Sequence, residues 1–339
     1  MSKIVYLFGA GASFGKRDEK DKNVILEGLP IVTEFPKQID CLITRIKKED
    51  TEAKSQFKTN PEELEKLIKE LKWLKESSEN HQTVDTYAKK LWVTEKTTYD
   101  KLKQILSVFL TLEQLFNKPD SRYDAFFANI LGNGIDALPK DVTILSWNYD
   151  CQFEIAFSNY FSSKSLNYIW EHLNMNAKTV KNSSQNLGFN ITKLNGSALA
   201  YDKDRLDLSF YDSFFGRQGM SELSHVIASQ FSKGSNVRNA LSFAWEGVVK
   251  DFHDNIIQRV QDAEILVVIG YSFPYFNREV DRKILQSMYN LKKVYIQDPN
   301  YIEVKENMEA VLTDSQLSSD NTKFVFKQGL TQFVIPNEM

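Results

Sequence analysis

The chain has 339 residues, 42% of them hydrophobic and 26% charged, with a formal net charge of −3. A chain of this length and composition can bury a full core, and its charge gives no global basic field for nucleic acid or an acidic membrane. Two cysteines, Cys41 and Cys151, exclude a four-cysteine zinc module and a disulfide framework and fit a reducing cytosol.

The first predicted element is a strand, Ile4–Phe8, running into Gly9-Ala10-Gly11-Ala12-Ser13. A strand that turns through small residues into a helix exposes backbone N–H groups at the helix's positive end, a seat for a pyrophosphate approaching the backbone. The third glycine of the dinucleotide fingerprint is displaced to Gly15, and no P-loop Lys-Ser/Thr pair follows, so this stretch alone equally fits a tight turn in any α/β protein. Residues 35–138 have a different character and are expected to form a helical insertion. Asn60 caps a helix that opens at Pro61, with Leu64, Leu67, Ile68 and Leu71 on one face, and Leu102, Ile105, Leu106, Phe109, Leu112 and Phe116 repeat the spacing. Its Lys/Glu runs are expected to be solvated helix faces, and its exposed aromatics a possible subunit contact.

Further apolar runs follow at Val142–Trp147, Ile191–Leu194, Ile265–Ile269, Val294–Ile296 and Phe324–Phe326, separated by helical patterns. The expected fold is therefore α/β, a doubly wound, mostly parallel sheet of Rossmann-like type, residues 1–339 forming one domain around the insertion. A helix is predicted at Cys151–Phe161, and a second helical block at roughly 236–262. Residues 182–186 and 318–321 are predicted loops. No run is long and apolar enough to span a membrane, and residues 1–25 lack a signal-peptide pattern, so a cytoplasmic protein with no membrane partner is expected.

Ser146-Trp147-Asn148-Tyr149-Asp150 closes the second long strand, where an open sheet places its ligand, so Asn148 and Asp150 are expected to face the crevice above Gly9–Ser13. A carboxylate beside an amide can hold a carboxamide, a ribose or a water. The blander expectation for Asp150 is a helix cap.

Taken in order, these motifs resemble the sirtuin-like (silent-information-regulator-type) NAD-binding domain, in the divergent bacterial branch of NAD-hydrolysing antiphage effectors. Gly9–Ser13 is similar to its Gly-Ala-Gly-x-Ser opening, Leu29-Pro30 to its nucleotide-covering loop, and Ser146–Asp150 to Thr-x-Asn-x-Asp. Lys193-Leu194-Asn195-Gly196-Ser197 is similar to Lys-Leu-His-Gly-Ser, Gly270-Tyr271-Ser272-Phe273 to a Gly-x-Ser segment near the phosphates and ribose, and Gln297-Asp298-Pro299-Asn300 to the adenosine contact. The resemblance implies NAD+ as substrate, no metal, catalytic positions at Asn148, Asp150 and Asn195, and nucleotide contacts at Gly9, Ala10, Gly11, Ala12, Ser13, Pro30, Gly196, Gly270, Ser272, Phe273, Asp298 and Asn300.

This chain departs from the family at two points. Asn195 stands where the family has its catalytic histidine, and an amide cannot accept a proton near neutral pH. The zinc module of the deacylases is absent, which argues against protein deacylation. NAD+ cleavage survives the first loss, because nicotinamide leaves a cationic ring as a neutral molecule and needs no acid; a carboxylate and a fixed amide can stabilise the cationic centre and orient a water. The expected activity is a slow or conditionally activated NAD+ glycohydrolase serving antiphage defence. The alternative is a subunit that binds NAD or an ADP-ribose-like nucleotide without turnover. Of the four histidines, His81 and His253 fall in predicted helical blocks, while His172 and His225 sit in segments able to reach the cleft, although each alone fits a structural role better. Regulation is expected through self-association or a partner defence protein carrying the sensor, with residues 35–138 as the docking surface.

Overall fold

The computed structural model describes residues 2–52, 60–160, 165–178, 188–202, 237–246, 250–318, 322–329 and 331–339. Strand β1 (Ile4–Phe8) leads through a 3-10 turn at Ala10–Ser13 to a short hairpin, β2 (Lys16–Arg17) and β3 (Ile25–Glu27). Five helices follow: α1 (Phe35–Glu52), α2 (Pro61–Glu79), α3 (Val84–Thr94), α4 (Lys96–Phe116) and α5 (Ser121–Ile130). The chain then makes β4 (Val142–Ser146), α6 (Gln152–Ser158), α7 (Leu166–His172), β5 (Met175–Ala177) and β6 (Asn190–Lys193). An antiparallel ribbon, β7 (Gly196–Asp202) and β8 (Val237–Leu241), precedes α8 (Lys250–Val260). The last elements are β9 (Ile265–Ile269), α9 (Arg278–Gln286), β10 (Lys293–Gln297), α10 (Tyr301–Glu309), α11 (Asp314–Leu317) and β11 (Lys323–Lys327).

Seven strands form one sheet in the order β11-β10-β9-β1-β4-β6-β5, and every neighbouring pair is parallel. The expected doubly wound α/β fold is the one that forms. In β1 no residue is more than 3% exposed, and its side chains alternate between two apolar layers, Ile4, Tyr6 and Phe8 in one and Val5 and Leu7 in the other. A strand covered on both faces has no solvent side, which is why its sequence is an unbroken apolar run. Helices α8, α9 and α10 cover the Val5 face. The Tyr6 face is covered by α1 to α7, so the helices of residues 35–138 share a single apolar cluster with the sheet. Phe126 and Tyr123 of α5 pack directly against Phe8, which also meets Phe153 of α6 and Phe333 near the chain's end.

The structure departs from the predicted elements at three places. Val237–Leu241 is a strand and Ser242–Glu246 a turn; only Lys250–Val260 of the predicted block at 236–262 is helical, with 247–249 outside the described residues. Pairing with β7 overrides a helix-like apolar spacing there. The helix expected after Ser13 does not form. Instead the four-residue 3-10 turn ends at Ser13, and Gly15, with a φ of +65°, turns the chain into the β2–β3 hairpin. The helix predicted at Cys151–Phe161 is shorter, Gln152–Ser158. The predicted loop at 182–186 lies outside the described residues, as do residues 319–321 of the other. Among the described residues no helix is long and apolar enough to cross a membrane.

Candidate functional site

From β1 the sheet grows through β4, β6 and β5 on one side and through β9, β10 and β11 on the other, so the strand order reverses between β1 and β9. Helices leave the sheet in opposite directions at such a point, and the gap above the strands' carboxyl ends is where open α/β sheets take their ligands. A cavity of about 450 Å³ lies there. Five strand ends supply its wall: Ala10, Gly11 and Ser13 after β1, Asn148 and Asp150 after β4, Asn195 after β6, Gly270 and Ser272 after β9, and Asp298 and Asn300 after β10. Pro30 joins them from the segment after β3. Four of the sequence-predicted residues, Gly9, Ala12, Gly196 and Phe273, are not part of the wall; Phe273 is a core residue in the Val5-side layer.

The glycines act differently from the expectation. Gly11 N–H donates to the Gly270 carbonyl at 2.9 Å, Gly9 N–H to Ile269 at 3.0 Å, and Ala12 N–H back to Gly9 at 2.9 Å. A Cβ on Gly11 would stand 2.9 Å from Gly270 Cα, and one on Gly9 would stand 2.5 Å from the Gly270 carbonyl oxygen. What approaches these glycines is the β9 loop of the protein itself. The absent helix also removes the dipole end on which the pyrophosphate seat was expected.

Asn148 and Asp150 sit in a loop that is held from all sides. Trp147 N–H donates to Phe8 at 3.0 Å, Ala198 N–H to Tyr149 at 2.6 Å, and Cys151 N–H to the Gln114 side chain at 2.6 Å. Asn148 is 6% exposed and donates through Nδ2 to Ser13 Oγ at 3.1 Å, while Ser13 Oγ also pairs with the Tyr123 hydroxyl at 2.8 Å. Asp150 Oδ1 accepts from the N–H of Gln152, the first residue of α6, at 3.1 Å and lines the cavity at once, while the N-cap position itself falls on Cys151. Burial pushes its carboxyl above the ordinary aspartate range, against the pull of Lys193. The Lys193 ammonium, 1% exposed, bonds the Asp150 carbonyl and pairs with Glu154 at 2.9 Å. A buried charge held this way fixes the loop that carries Asn148 and Asp150.

Asn195 donates to the Tyr149 hydroxyl at 3.4 Å, but its buried Oδ1 has no partner among the described residues. An unmet acceptor at a cavity wall is a place where a ligand hydroxyl or water recovers a hydrogen bond. Beside it stand Phe243 and Trp245, stacked at 4.7 Å between ring centroids. Their segment is clamped to α4 through Glu246, which accepts from Tyr99 at 2.5 Å and from Lys103 at 2.8 and 2.9 Å. The start of α3 contributes Thr83, Val84 and Asp85 to the same wall. With Phe35 of α1 and Leu110 of α4, three of the helices from residues 35–138 therefore build the site. Trp147, Tyr149 and Tyr271 lay inside the motifs but carried no sequence signal of their own, and Asp85 and Trp245 reach the wall only through tertiary contacts. His172 pairs with Asp136 at 3.3 Å and is not part of the wall, and His225 lies outside the described residues.

Trp147 and Tyr271 stack at 16° on the cavity floor, and both hold one carboxylate. Trp147 Nε1 donates to Asp281 Oδ1 at 3.0 Å and the Tyr271 hydroxyl to Asp281 Oδ2 at 2.6 Å. Asp281 is 1% exposed, and burial pushes its carboxyl up to about 7 despite these donors. The folded protein therefore keeps this proton where the unfolded chain, with an ordinary aspartate, has lost it. This group's contribution to stability is full below about pH 4 and is lost as pH rises toward 7. Asp281→Asn is neutral throughout and is expected to gain on the wild type by roughly 2–4 kcal/mol between pH 4 and pH 8. Urea unfolding of both proteins at the two pH values checks this; parallel pH profiles would show that Asp281 does not hold its proton.

Among the described residues the wall carries four carboxylates, Asp85, Asp150, Asp298 and Glu303, and no lysine, arginine or histidine. Such a cavity favours a ligand with a cationic centre and hydrogen-bonding oxygens. Fold and cavity together define a doubly wound α/β protein with an acidic ligand site at its topological switch point, walled in part by helices inserted between β3 and β4. No family model and no curated protein matches the chain. Among solved structures the chain is similar to one described as "Structural Basis for the Mechanism and Regulation of Sir2 Enzymes", which it matches over 91% of its own length and 90% of that chain at 14% identity and a TM-score of 0.38. That likeness is too remote to carry an argument, and the fold assignment rests on strand order and register.

Proposed function

We propose that the protein is an NAD+ glycohydrolase that releases nicotinamide and ADP-ribose. The observation that carries this reading is the convergence of Asn148, Asp150 and Asn195 from two strand ends into one cavity, with the Gly-Ala-Gly-x-Ser turn next to them, its Ser13 Oγ accepting from Asn148. These are the positions at which the resemblance to the sirtuin-like domain places the chemistry. The residues present suit the cationic nicotinamide-ribose half of NAD+, which we take as the substrate. The orphaned Asn195 Oδ1 accepts from a ribose hydroxyl or a water, Asn148 is fixed by Ser13, and the Asp150 carboxylate offsets positive charge developing at the sugar. Asp298 and Asn300, at the far end of the wall, are placed for the adenosine half.

A second reading, a subunit that holds NAD or an ADP-ribose-like nucleotide without turnover, is favoured by the amide at Asn195, which takes up no proton near neutral pH. In either reading the chain is one domain with a helical insertion at residues 35–138. It serves as a cytoplasmic, regulated component of antiphage defence, controlled by self-association or by a partner that carries the sensor; the motif resemblance supports that role. Incubation of the purified protein with NAD+, alone and with candidate activators, separates the two readings. Release of nicotinamide supports the hydrolase, whereas calorimetric binding of NAD+ with no release under any condition supports the binding subunit.

A further inference from the structure

The catalytic water of a glycohydrolase must lose a proton as it adds to the sugar, and neither amide at the site takes one. Asn195 replaces the histidine that would, and Asn148 is a donor to Ser13. Of the four carboxylates in the wall, Glu303 is exposed to solvent on α10, Asp298 accepts from Asn300 N–H at 2.8 Å and Asp150 accepts from Gln152 N–H. Asp85 differs from all three. It is the second residue of α3, contributed by the helices inserted between β3 and β4, and it has no hydrogen bond or ion pair among the described residues. Burial first and then its negative charge hold the Tyr149 phenol in its neutral form, and the same hydroxyl accepts from Asn195 Nδ2 at 3.4 Å. An aspartate in the first turn of a helix ordinarily faces water and gains from the helix dipole. In this chain it faces a cavity.

We propose that Asp85 is the general base that replaces the missing histidine, drawn from the inserted helices to the cavity that Tyr149 and Asn195 also line. The inference rests on the glycohydrolase reading. The bond between C1′ of the ribose and the nicotinamide nitrogen breaks with its electron pair on nitrogen, so nicotinamide leaves neutral. The water oxygen forms the new bond to C1′, the Asp85 carboxylate takes the water proton, and that proton passes to solvent as ADP-ribose departs. Burial raises the Asp85 carboxyl to about 6, a value that leaves it ionised at neutral pH yet basic enough to accept a proton.

The chemistry supplies its own control. Hydrolysis needs a proton acceptor, whereas exchange of the leaving nicotinamide for labelled free nicotinamide does not, because the incoming ring nitrogen carries no proton. Asp85→Asn is expected to lower kcat for hydrolysis by about 10²-fold or more with NAD+ affinity by calorimetry within a few-fold, to flatten the fall of kcat below about pH 6, and to leave base exchange nearly unchanged. Asp85→Glu, which keeps the carboxylate, is expected to restore part of the hydrolysis and the pH limb. The proposal is overturned if Asp85→Asn hydrolyses NAD+ at the wild-type rate, or if hydrolysis and exchange fall together, which marks a structural role. If Asp85→Asn does not fold, Asp85→Glu with an unmoved pH limb overturns it instead. Wild-type protein that binds NAD+ but neither hydrolyses nor exchanges it, with every activator tried, is a separate outcome: it removes the glycohydrolase reading itself, and the base with it.

Discussion

Asn148→Ala and Asp150→Asn are each expected to lower nicotinamide release by at least about 100-fold while leaving the protein folded. Asp150→Asn keeps an oxygen to accept from Gln152 N–H, so that hydrogen bond survives while the negative charge beside the developing sugar cation is lost. Asn148→Ala removes the amide but leaves Ser13 Oγ its partner in Tyr123 at 2.8 Å, so the floor of the site need not rearrange. Preorganised charge and dipoles act most strongly where water is excluded, and both residues are at most 7% exposed. Chromatographic assay of nicotinamide, with circular dichroism and calorimetric NAD+ binding as controls, provides the check. Wild-type turnover in both variants would remove these residues from the chemistry.

Gly270→Ala is expected to destabilise the protein by about 3 kcal/mol or more, among the largest effects of adding one methyl group. The residue adopts a φ of +58°, which disfavours any Cβ, and the added Cβ would stand 2.3 Å from Ala12 N and 2.4 Å from Gly11 C, both backbone atoms with no side-chain freedom to yield. Its N–H donates to Gln297 at 3.1 Å and its carbonyl accepts from Gly11, so the β1, β9 and β10 loops meet at this position. Gly329→Ala, with nothing within 4 Å of its Cβ, serves as the neutral control. Denaturant unfolding of the two variants decides the matter, and equal stabilities would refute the close-packing account of these glycines. By the same geometry Gly11→Val disturbs the protein's own loop contact before it meets any ligand.

Much of the frame was legible because buried parallel strands write themselves plainly. Ile4–Phe8 and Ile265–Ile269 are apolar at every position, and their bounds were read without error. The strand-end motifs were legible for a related reason: residues at the carboxyl ends of adjacent strands share a crevice whatever the intervening chain does, so Asn148, Asp150 and Asn195 come together as expected. What failed depended on partners distant in sequence. Val237–Leu241 has helical spacing, but its pairing with Gly196–Asp202 decides its form. The Gly-Ala-Gly turn carries the composition of a strand-to-helix junction, and only the fold reveals that Gly270 fills the space kept by Gly11. Asp85 shows the limit most clearly: a Thr-x-Asp helix start is indistinguishable from any exposed cap until α3 is placed over the cavity.

The centrality of β1 has a consequence for how the chain comes into being. It is the first strand synthesised, yet Ile4 is registered against Val142 on one side and Ile265 on the other. At translation speeds of about 5–20 residues per second, its second neighbour emerges roughly ten seconds or more after the strand itself. Throughout that interval this fully buried strand lacks at least one edge partner, and contacts of such sequence separation are slow to close. The nascent protein thus spends its longest exposure with its future core strand unpaired. Newly made chains need shelter from aggregation in that interval, and a fragment ending before β9 would present an open edge at the place where the complete protein builds its ligand site.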